Sequence, residues 1–165
     1  MILDERIFRD PEALTGELMR FRDERGPVVL ANGCFDVLHV GHVRYLREAA
    51  SLGGILVVAL NDDLSANSLK GEGRPVMCED ERAEIVMALR FVDYVLIFGE
   101  RTADRVIEII RPDIHAKGTD YSVETVPELE TSRSVGCRTV IVGDPKNHSS
   151  RDIIRGIQGE QECGS

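Results

Sequence analysis

Residues 28–42 read VVLANGCFDVLHVGH, and this stretch decides which fold the sequence predicts. Its apolar start is typical of a buried strand, which breaks at Asn32 and Gly33, a pair that favours a turn. After the turn, apolar residues recur at helical spacing, at Val43, Leu46 and Ala50. The stretch therefore predicts a strand, a turn and a helix in that order.

Two histidines lie where this helix is predicted to begin. His39 and His42 are three residues apart, so both imidazoles fall near one face of the helix. A helix N-terminus also gathers unpaired backbone N–H groups and the positive end of the helix dipole, which together bind anions. Gly41, between the histidines, lets a ligand approach the backbone. A single histidine would be interpreted as a cap or a surface residue, but the pair with glycine favours a phosphate site.

The composition is ordinary for a folded soluble domain: of 165 residues, 42% are hydrophobic and 30% are charged. A chain of this length buries about two-thirds of its unfolded surface, so we expect one domain. The sequence contains neither an apolar run long enough to cross a bilayer nor a basic and apolar leader at residues 1–9. We therefore expect a cytoplasmic protein.

The net charge of −9 counts against two classes of partner. Nucleic acids and anionic membranes both bind basic surfaces, so we expect neither as a partner. No C-x-x-C pair occurs among the four cysteines, which are Cys34, Cys78, Cys137 and Cys163. The sequence therefore predicts reduced thiols and no zinc or redox motif.

Five short apolar strands alternate with helical segments along the chain. This alternation predicts βαβ units joined by right-handed crossovers. We expect an α/β fold, a Rossmann-like doubly wound sheet of about five parallel strands with helices on both faces. The expected single domain, residues 1–165, comprises a helical extension at 1–26, a core at 28–157 and a polar tail at 158–165.

Ligands of open α/β sheets bind outside the carboxyl ends of the strands. Polar residues distant in sequence are expected at this edge, namely His39, His42, Asn61, Lys70, Lys117, Asp120 and Ser149. Residues 65–77 contain two glycines beside two cations and predict a mobile loop that covers a ligand. Ser149 and Asp152 fit a capping box at the start of the last helix. The sequence contains neither the P-loop motif G-x-x-x-x-G-K-[ST] nor the dinucleotide-binding motif G-x-G-x-x-G, so the predicted site is neither of these two phosphate-binding types.

Residues 32–42, NGCFDVLHVGH, resemble the signature of the cytidylyltransferase-like nucleotidyltransferases, whose H-x-G-H motif is related to the HIGH motif of class I aminoacyl-tRNA synthetases. Residues 69–75 (LKGEGRP), 80–94 and 117–121 (KGTDY) are similar to the adenylyltransferase module of the ADP-heptose synthesis proteins. The resemblance covers residues 28–157 and also includes the serine pair that opens the last helix.

This resemblance implies a nucleotidyltransferase that transfers AMP from ATP to a sugar 1-phosphate, D-glycero-D-manno-heptose 1-phosphate, by direct in-line displacement. The products would be ADP-heptose and pyrophosphate. It further implies Mg²⁺ carried mainly by the triphosphate, a homodimer, and a separate sugar kinase upstream, because two-part relatives join this module to a kinase.

Three alternatives to this function stay open. The first is a CTP-dependent cytidylyltransferase acting on glycerol 3-phosphate or another phospho-alcohol. The second is a non-catalytic nucleotide-binding module. The third is a synthetase-like fragment acting on an amino acid, against which the absence of a K-M-S-K-S-like loop counts.

The resemblance also implies roles for individual residues. The expected catalytic residues are His39, His42 and Lys70. The expected nucleotide-binding residues are Gly33, Cys34, Phe35, Gly41, Arg82, Lys117, Gly118, Asp120, Tyr121, Ser149 and Ser150. The expected acceptor-binding residues are Asp36, Asn61 and Arg74.

Some of these roles leave alternatives open. Asp36 can receive a ribose or substrate hydroxyl, or it can brace the turn. Arg82 can contact phosphate, or it can be an ordinary surface arginine. Cys34 is expected to be a small turn residue rather than a nucleophile. The cation that binds phosphate at the last helix stays open among Lys146, His148 and Arg151.

Overall fold

The computed structural model describes residues 4–145 and 148–159. Its strands are β1 (Ile7–Phe8), β2 (Val28–Gly33), β3 (Ile55–Asn61), β4 (Tyr94–Phe98), β5 (Ile114–Gly118) and β6 (Arg138–Val142). Its helices are α1 (Pro11–Arg25), α2 (Val40–Ala50), α3 (Asp63–Lys70), α4 (Glu79–Met87), α5 (Asp104–Ile110), α6 (Leu129–Ser134) and α7 (Ser150–Gln158). A short 3₁₀ helix at Val123–Thr125 precedes α6.

The six strands form one sheet in the order β1-β4-β3-β2-β5-β6, and every neighbouring pair is parallel. The strand order reverses at β2, which has β3 on one side and β5 on the other. Ligands of open sheets bind at such a reversal, outside the carboxyl ends of the strands. The predicted doubly wound α/β fold is confirmed, and β2 and α2 are the strand and helix predicted from residues 28–42.

The sheet has one strand more than the expected five. Strand β1 pairs Ile7 with Val95 and Phe8 with Leu96 at the edge of the sheet. Two residues are too few to produce a periodic pattern, so the sequence does not reveal this strand. Helix α1 begins as predicted, with Asp10 as its N-cap and Pro11 at its first position.

The expected loop over residues 65–77 is partly wrong, because residues 63–70 form α3. Asp62 caps this helix, and its Oδ1 accepts a hydrogen bond from the backbone N–H of Ser65 at 2.7 Å. The helix ends at Gly71, whose φ of 96° lies in the region that favours glycine. Lys70 is therefore the last residue of a helix, and the loop begins after it.

The sheet carries a hydrophobic core on each face, because successive strand residues point in opposite directions. Val29 and Ala31 of β2 pack on one face with residues of α2 and α4, including Leu46, Ala49, Ala83 and Val86. Val28 and Leu30 pack on the other face with residues of α1 and α5, including Leu14, Leu18, Val106 and Ile107. The strands between these layers are buried on both sides, which explains their continuous apolar sequences.

The segment before β2 belongs to this architecture, since β1 extends the sheet and α1 contributes to one core. The division into extension, core and tail stays a prediction, and residues 160–165 of the expected tail lie outside the described part. Within residues 4–145 and 148–159, no helix is both long and apolar enough to cross a membrane.

Candidate functional site

The turn between β2 and α2 holds two residues in the left-handed backbone region. The angle φ is 49° at Phe35 and 55° at Val37. Bulky and β-branched residues adopt this region at a cost of about 1–3 kcal/mol each, and they do so where surrounding contacts enforce it. Ser150, the first residue of α7, supplies such contacts: its Oγ donates to the carbonyl of Asp36 at 2.6 Å and lies 3.3 Å from the carbonyl of Val37.

The two histidines cap the start of α2. Nδ1 of His39 accepts a hydrogen bond from the backbone N–H of Gly41 at 3.1 Å, and Nδ1 of His42 accepts one from the backbone N–H of His39 at 3.3 Å. A neutral imidazole carries one proton, so a ring whose Nδ1 accepts carries that proton on Nε2. Both rings are therefore fixed as Nε2–H donors. The rings stack, with their centroids 3.9 Å apart.

His42 is uncharged at neutral pH. Burial is the largest cause that lowers its pKa, followed by the neighbouring His39 and the ammonium of Lys70, and the pKa is about 3. The carboxylate of Asp120 acts in the opposite direction and raises this pKa. Lys70 and Asp120 thus both act electrostatically on the ring of His42, although they come from different parts of the sequence.

Two of the predicted glycines lie against aromatic rings. A Cβ atom added at Gly41 would lie 2.9 Å from Cε1 of His39, and one added at Gly33 would lie 3.3 Å from the ring of Phe35. The Phe35 ring in turn lies edge-on to His42, with the ring centroids 5.5 Å apart. Gly41 therefore allows the His39 ring to lie close to the backbone. This role of Gly41 could not be predicted from the sequence.

The start of α7 lies beside the start of α2. Ser149 caps α7 as predicted: its Oγ accepts from the backbone N–H of Asp152 at 3.1 Å and donates to the Asp152 carboxylate at 2.7 Å. The rings of His39 and His148 lie with their centroids 6.4 Å apart. Of the three candidate phosphate-binding cations, His148 is thus beside His39, Arg151 is exposed on α7, and Lys146 lies outside the described residues.

Asp36 braces the loop that follows α3. Its carboxylate, in a residue only 2% exposed, accepts a hydrogen bond from Nε of Arg74 at 2.6 Å and others from the backbone N–H groups of Val76 and Met77 at 3.0 and 3.3 Å. Burial raises the pKa of Asp36, but these hydrogen bonds outweigh burial and lower the pKa below its ordinary value. Asp36 was expected either to bind a hydroxyl group or to brace the turn, and the structure shows bracing contacts. Arg74, an expected acceptor-binding residue, makes one of these contacts.

Arg82 lies under the site rather than on the surface. Its side chain is fully buried, and its Nη1 donates to the carbonyls of Cys34 at 2.6 Å and Asn61 at 2.8 Å. Its remaining hydrogen bonds go to the carbonyl of Met77 at 3.0 Å and the carboxylate of Asp63 at 2.7 Å. These contacts tie α4 to the ends of β2 and β3, which is a structural role. The surface alternative is therefore wrong, and the phosphate contact that the resemblance implies for Arg82 stays a prediction.

Asn61 and Cys34 are also directed into the protein. The amide of Asn61 donates to the carbonyl of Glu100 at 2.9 Å and to Oγ of Ser65 at 3.2 Å, and its oxygen lies 3.8 Å from Sγ of Cys34. Burial is the main cause that raises the pKa of the Cys34 thiol, which disfavours a nucleophilic thiolate. Cys34 is accordingly a small turn residue, as expected.

Lys117 belongs to a buried polar network at the ends of β2 and β5. Its Nζ lies 3.2 Å from Oδ1 of Asn32 and 3.2 Å from Oε2 of Glu128. The ring of Tyr121 lies against the same ammonium, with its centroid 4.9 Å from Nζ. Gly118, which ends β5, and the exposed Asp120 and Tyr121 continue the same segment.

Three members of this network were not predicted from the sequence. His115, Glu128 and Ser132 are each at most 1% exposed. A histidine inside the apolar run of β5 is a signal that could have indicated a buried polar group. Nothing in the local pattern distinguishes Glu128 from the other acidic residues near it.

Among residues 4–145 and 148–159, no group of three or more His, Cys, Asp or Glu side chains is arranged to hold a metal ion. The donors that the site does offer to an anion are the Nε2–H groups of the two histidines, the ammonium of Lys70 and the backbone N–H groups at the start of α7. This set of donors suits a polyphosphate, and it leaves the oxygen ligands that Mg²⁺ prefers to the phosphate groups themselves.

Comparisons with known proteins find relatives that match most of this chain. The bifunctional proteins HldE of Syntrophotalea carbinolica and Citrifermentans bemidjiense are each 46% identical to this chain, over 83% and 88% of it. The matches cover 28% and 30% of those proteins, so this chain spans less than a third of their length.

Solved structures give the same fold. The crystal structure of the lipopolysaccharide core biosynthesis protein from Thermoplasma volcanium matches with a TM-score of 0.59 and 30% identity, over 73% of this chain and 98% of that one. Pantothenate synthetase from Thermus thermophilus matches with a TM-score of 0.67 over 90% of this chain and 67% of that one, but at 15% identity this likeness concerns the fold alone. The sequence model of the cytidylyltransferase-like proteins matches residues 30–156. The chain therefore belongs to the cytidylyltransferase-like family, as the histidine motif predicted.

Proposed function

We propose that the protein transfers AMP from ATP to a sugar 1-phosphate, D-glycero-D-manno-heptose 1-phosphate, and forms ADP-heptose and pyrophosphate. The observation that carries the nucleotidyl transfer is the stacked pair of His39 and His42, two Nε2–H donors at the start of a helix. The choice of substrate is supported by the 46% identity to the bifunctional protein HldE and by the resemblance of residues 69–75 and 117–121 to the ADP-heptose synthesis proteins.

In the proposed reaction, an oxygen of the sugar 1-phosphate attacks the α-phosphorus of ATP. A bond forms between that oxygen and phosphorus, the bond from phosphorus to the bridging oxygen of pyrophosphate breaks, and pyrophosphate leaves with the electron pair. No covalent intermediate with the protein is required. The protein has to align the reactants and stabilise the negative charge that grows on the phosphoryl oxygens.

The residues around α2 suit this task. Nε2–H of His39 and of His42 can donate to phosphate oxygens, and neither ring has to lose a proton to do so. The ammonium of Lys70, exposed at the end of α3, can move to the α-phosphate, and its charge already acts on His42. We assign the catalytic roles to these three residues.

The start of α7 would hold the terminal phosphates. Its free backbone N–H groups and the positive end of its dipole attract anions, and His148 is placed to contribute the cation beside His39. Mg²⁺, bound mainly through the triphosphate, would neutralise phosphate charge during the reaction. Lys117, Gly118, Asp120 and Tyr121 would lie on the side of the base and ribose.

We propose that a separate sugar kinase makes the acceptor and that the protein assembles as a homodimer.

The proposed location is the cytoplasm. The thiols of Cys34, Cys78 and Cys137 are free, which suits a reducing environment.

The direct test is pyrophosphate release by the purified protein. We expect release with Mg-ATP and heptose 1-phosphate, and at least a hundredfold slower release when CTP and glycerol 3-phosphate replace them. Turnover with the second pair alone would assign the chain to the cytidylyltransferases. Tight binding of ATP without turnover, across a panel of sugar phosphates and phospho-alcohols, would identify a nucleotide-binding module instead.

Lys70→Ala tests the catalytic assignment within the same assay. We expect it to lower kcat with little change in the KM for ATP, because a charge that acts in the transition state contributes little to ground-state binding. Glu72→Ala, two residues further along the loop and exposed, is the matched control and should leave both constants unchanged. An effect of Lys70→Ala confined to KM would assign Lys70 to ground-state binding.

A further inference from the structure

Glu128 is a charged residue in the interior that the proposed mechanism does not use. It is 1% exposed and immediately precedes α6. Its Oε1 accepts hydrogen bonds from the backbone N–H of Ala103 at 3.1 Å and from the side-chain amide of Asn32 at 3.3 Å. Its Oε2 lies 3.2 Å from Nζ of Lys117 and, within the described residues, makes no aligned hydrogen bond. The contact with Lys117 is therefore one of charge.

The ammonium of Lys117 is the counterpart of this carboxylate. Lys117 is 5% exposed, and Nζ has three N–H groups, of which two have acceptors within 3.2 Å, in Asn32 and Glu128. The same ammonium lies against the ring of Tyr121, in a residue that is 37% exposed. The cation is thus held by Asn32 and Glu128 from inside the protein, and the partly exposed ring of Tyr121 lies over it.

Asn32 cannot turn within this network. Its amide oxygen only accepts, so His115 must donate Nε2–H to it, at 2.9 Å, while Nδ1 of His115 faces Oγ of Ser132 at 3.4 Å. Burial first and the charge of Lys117 second lower the pKa of His115 to about 4, so the ring is neutral at pH 7. The amide nitrogen of Asn32 is then directed to Glu128. The network contains one positive and one negative charge, on Lys117 and Glu128.

We propose that Glu128 is a positioning residue for nucleotide binding: it holds the ammonium of Lys117 in place at the junction of β2 and β5, where that ammonium meets the nucleotide. Glu128 acts through Lys117 and makes no contact with the nucleotide itself. This inference rests on the proposed function, in which Lys117 lies on the nucleotide side of the site. A buried ammonium without its anion is costly, so loss of the carboxylate would let Lys117 turn toward solvent.

Glu128→Gln tests this inference, because it removes the charge and nearly preserves the shape. We expect the KM for ATP to rise about tenfold, because the charge attraction that holds the ammonium of Lys117 in place is lost. The kcat and the KM for the sugar 1-phosphate should change less than about twofold. Glu130→Gln is the matched control, because Glu130 lies two residues further along, in α6, with its side chain 86% exposed, and it should leave all three constants unchanged.

The decisive comparison uses Lys117→Met and the double variant Lys117→Met with Glu128→Gln. If Glu128 acts only through Lys117, both proteins should have the same KM for ATP within about twofold. The double variant should also be the more stable of the two, because it leaves no unpaired buried charge. This pair keeps the test valid even if Glu128→Gln alone fails to fold.

A further loss of ATP affinity in the double variant would overturn the inference, as would an unchanged KM for ATP in folded Glu128→Gln. A wild-type protein without turnover would contradict the proposed function instead. Equilibrium binding of ATP, measured by calorimetry on the wild type, Glu128→Gln, Lys117→Met and the double variant, would then decide whether Glu128 acts through Lys117.

Discussion

The imidazole rings of His39 and His42 stack with their centroids 3.9 Å apart, and Nδ1 of each ring accepts a hydrogen bond from the backbone at the start of α2. Each ring therefore performs two tasks with its two nitrogens. Nδ1 stabilises the helix start, and Nε2–H remains as a donor of fixed direction. A pair of substitutions can separate the two tasks.

His42→Asn keeps an acceptor near the position of Nδ1 but removes Nε2–H. We expect kcat to fall by about 10²- to 10³-fold, the loss typical of one preorganised donor to transition-state charge. The free energy of unfolding, measured in urea, should change by less than about 1 kcal/mol because the cap is retained. His42→Ala should lose both activity and cap. A normal rate in His42→Asn would show that His42 is a cap alone.

Adjacent serines at the start of α7 should differ in their effects. Ser149→Ala removes the N-cap and should lower the free energy of unfolding by about 1 kcal/mol. Ser150→Ala removes the hydrogen bond that holds the carbonyl of Asp36 in the left-handed turn, so kcat should fall more than it does in Ser149→Ala. Steady-state kinetics and urea unfolding of both variants test this, and equal effects on kcat would contradict it.

Asp36→Asn should loosen the loop after α3. The change removes the charge that Arg74 contacts and one acceptor for the loop backbone, at an expected loss of about 1–3 kcal/mol of stability. Hydrogen exchange at Val76 and Met77 should become faster, since both backbone N–H groups donate to this carboxylate. Unchanged exchange at these two residues would assign Asp36 to the substrate rather than to the loop.

Arg82→Met should destabilise the fold by about 3–5 kcal/mol, because the guanidinium binds three carbonyls and leaves them without donors when it is removed. Urea unfolding measures the loss. Arg82→Lys keeps a charge but satisfies fewer of these acceptors, and it should also be destabilised. A stable Arg82→Lys protein with a raised KM for ATP would restore the phosphate contact that the sequence suggested.

Stability should fall as the pH is lowered from about 6.5 toward 4. The pKa of His115 is about 4 in the folded protein and that of a free histidine is 6.5, so between these values the unfolded chain binds a proton that the folded chain does not. The same sign holds for His42, whose pKa is about 3. His115→Gln should therefore reduce the slope of stability against pH in this window by up to about 1.4 kcal/mol per pH unit. Urea unfolding at pH 7, 6 and 5 tests this, and an unchanged slope would show that His115 titrates normally.

The sequence by itself determined the fold class, because short continuous apolar runs predict buried strands and these alternate along the chain with segments of helical spacing. It also determined the turn between β2 and α2, since the turn follows Asn32 and Gly33 directly, and the spacing of His39 and His42 places both side chains near one helix face. The caps at Asp10 and Ser149 were likewise predictable from neighbouring residues.

Only the tertiary structure decided the roles of residues whose partners are distant in sequence. Arg82 could be an ordinary surface arginine on sequence alone, whereas the structure buries it against the carbonyls of Cys34 and Asn61. The pairing of Glu128 with Lys117 likewise has no signal in the sequence. The sequence alone does not show whether a charged residue faces water or a buried partner. Burial and pairing depend on which distant segments the sheet brings together. The histidine pair lies within one short segment and could be predicted, whereas the network around Lys117 combines distant segments and could not.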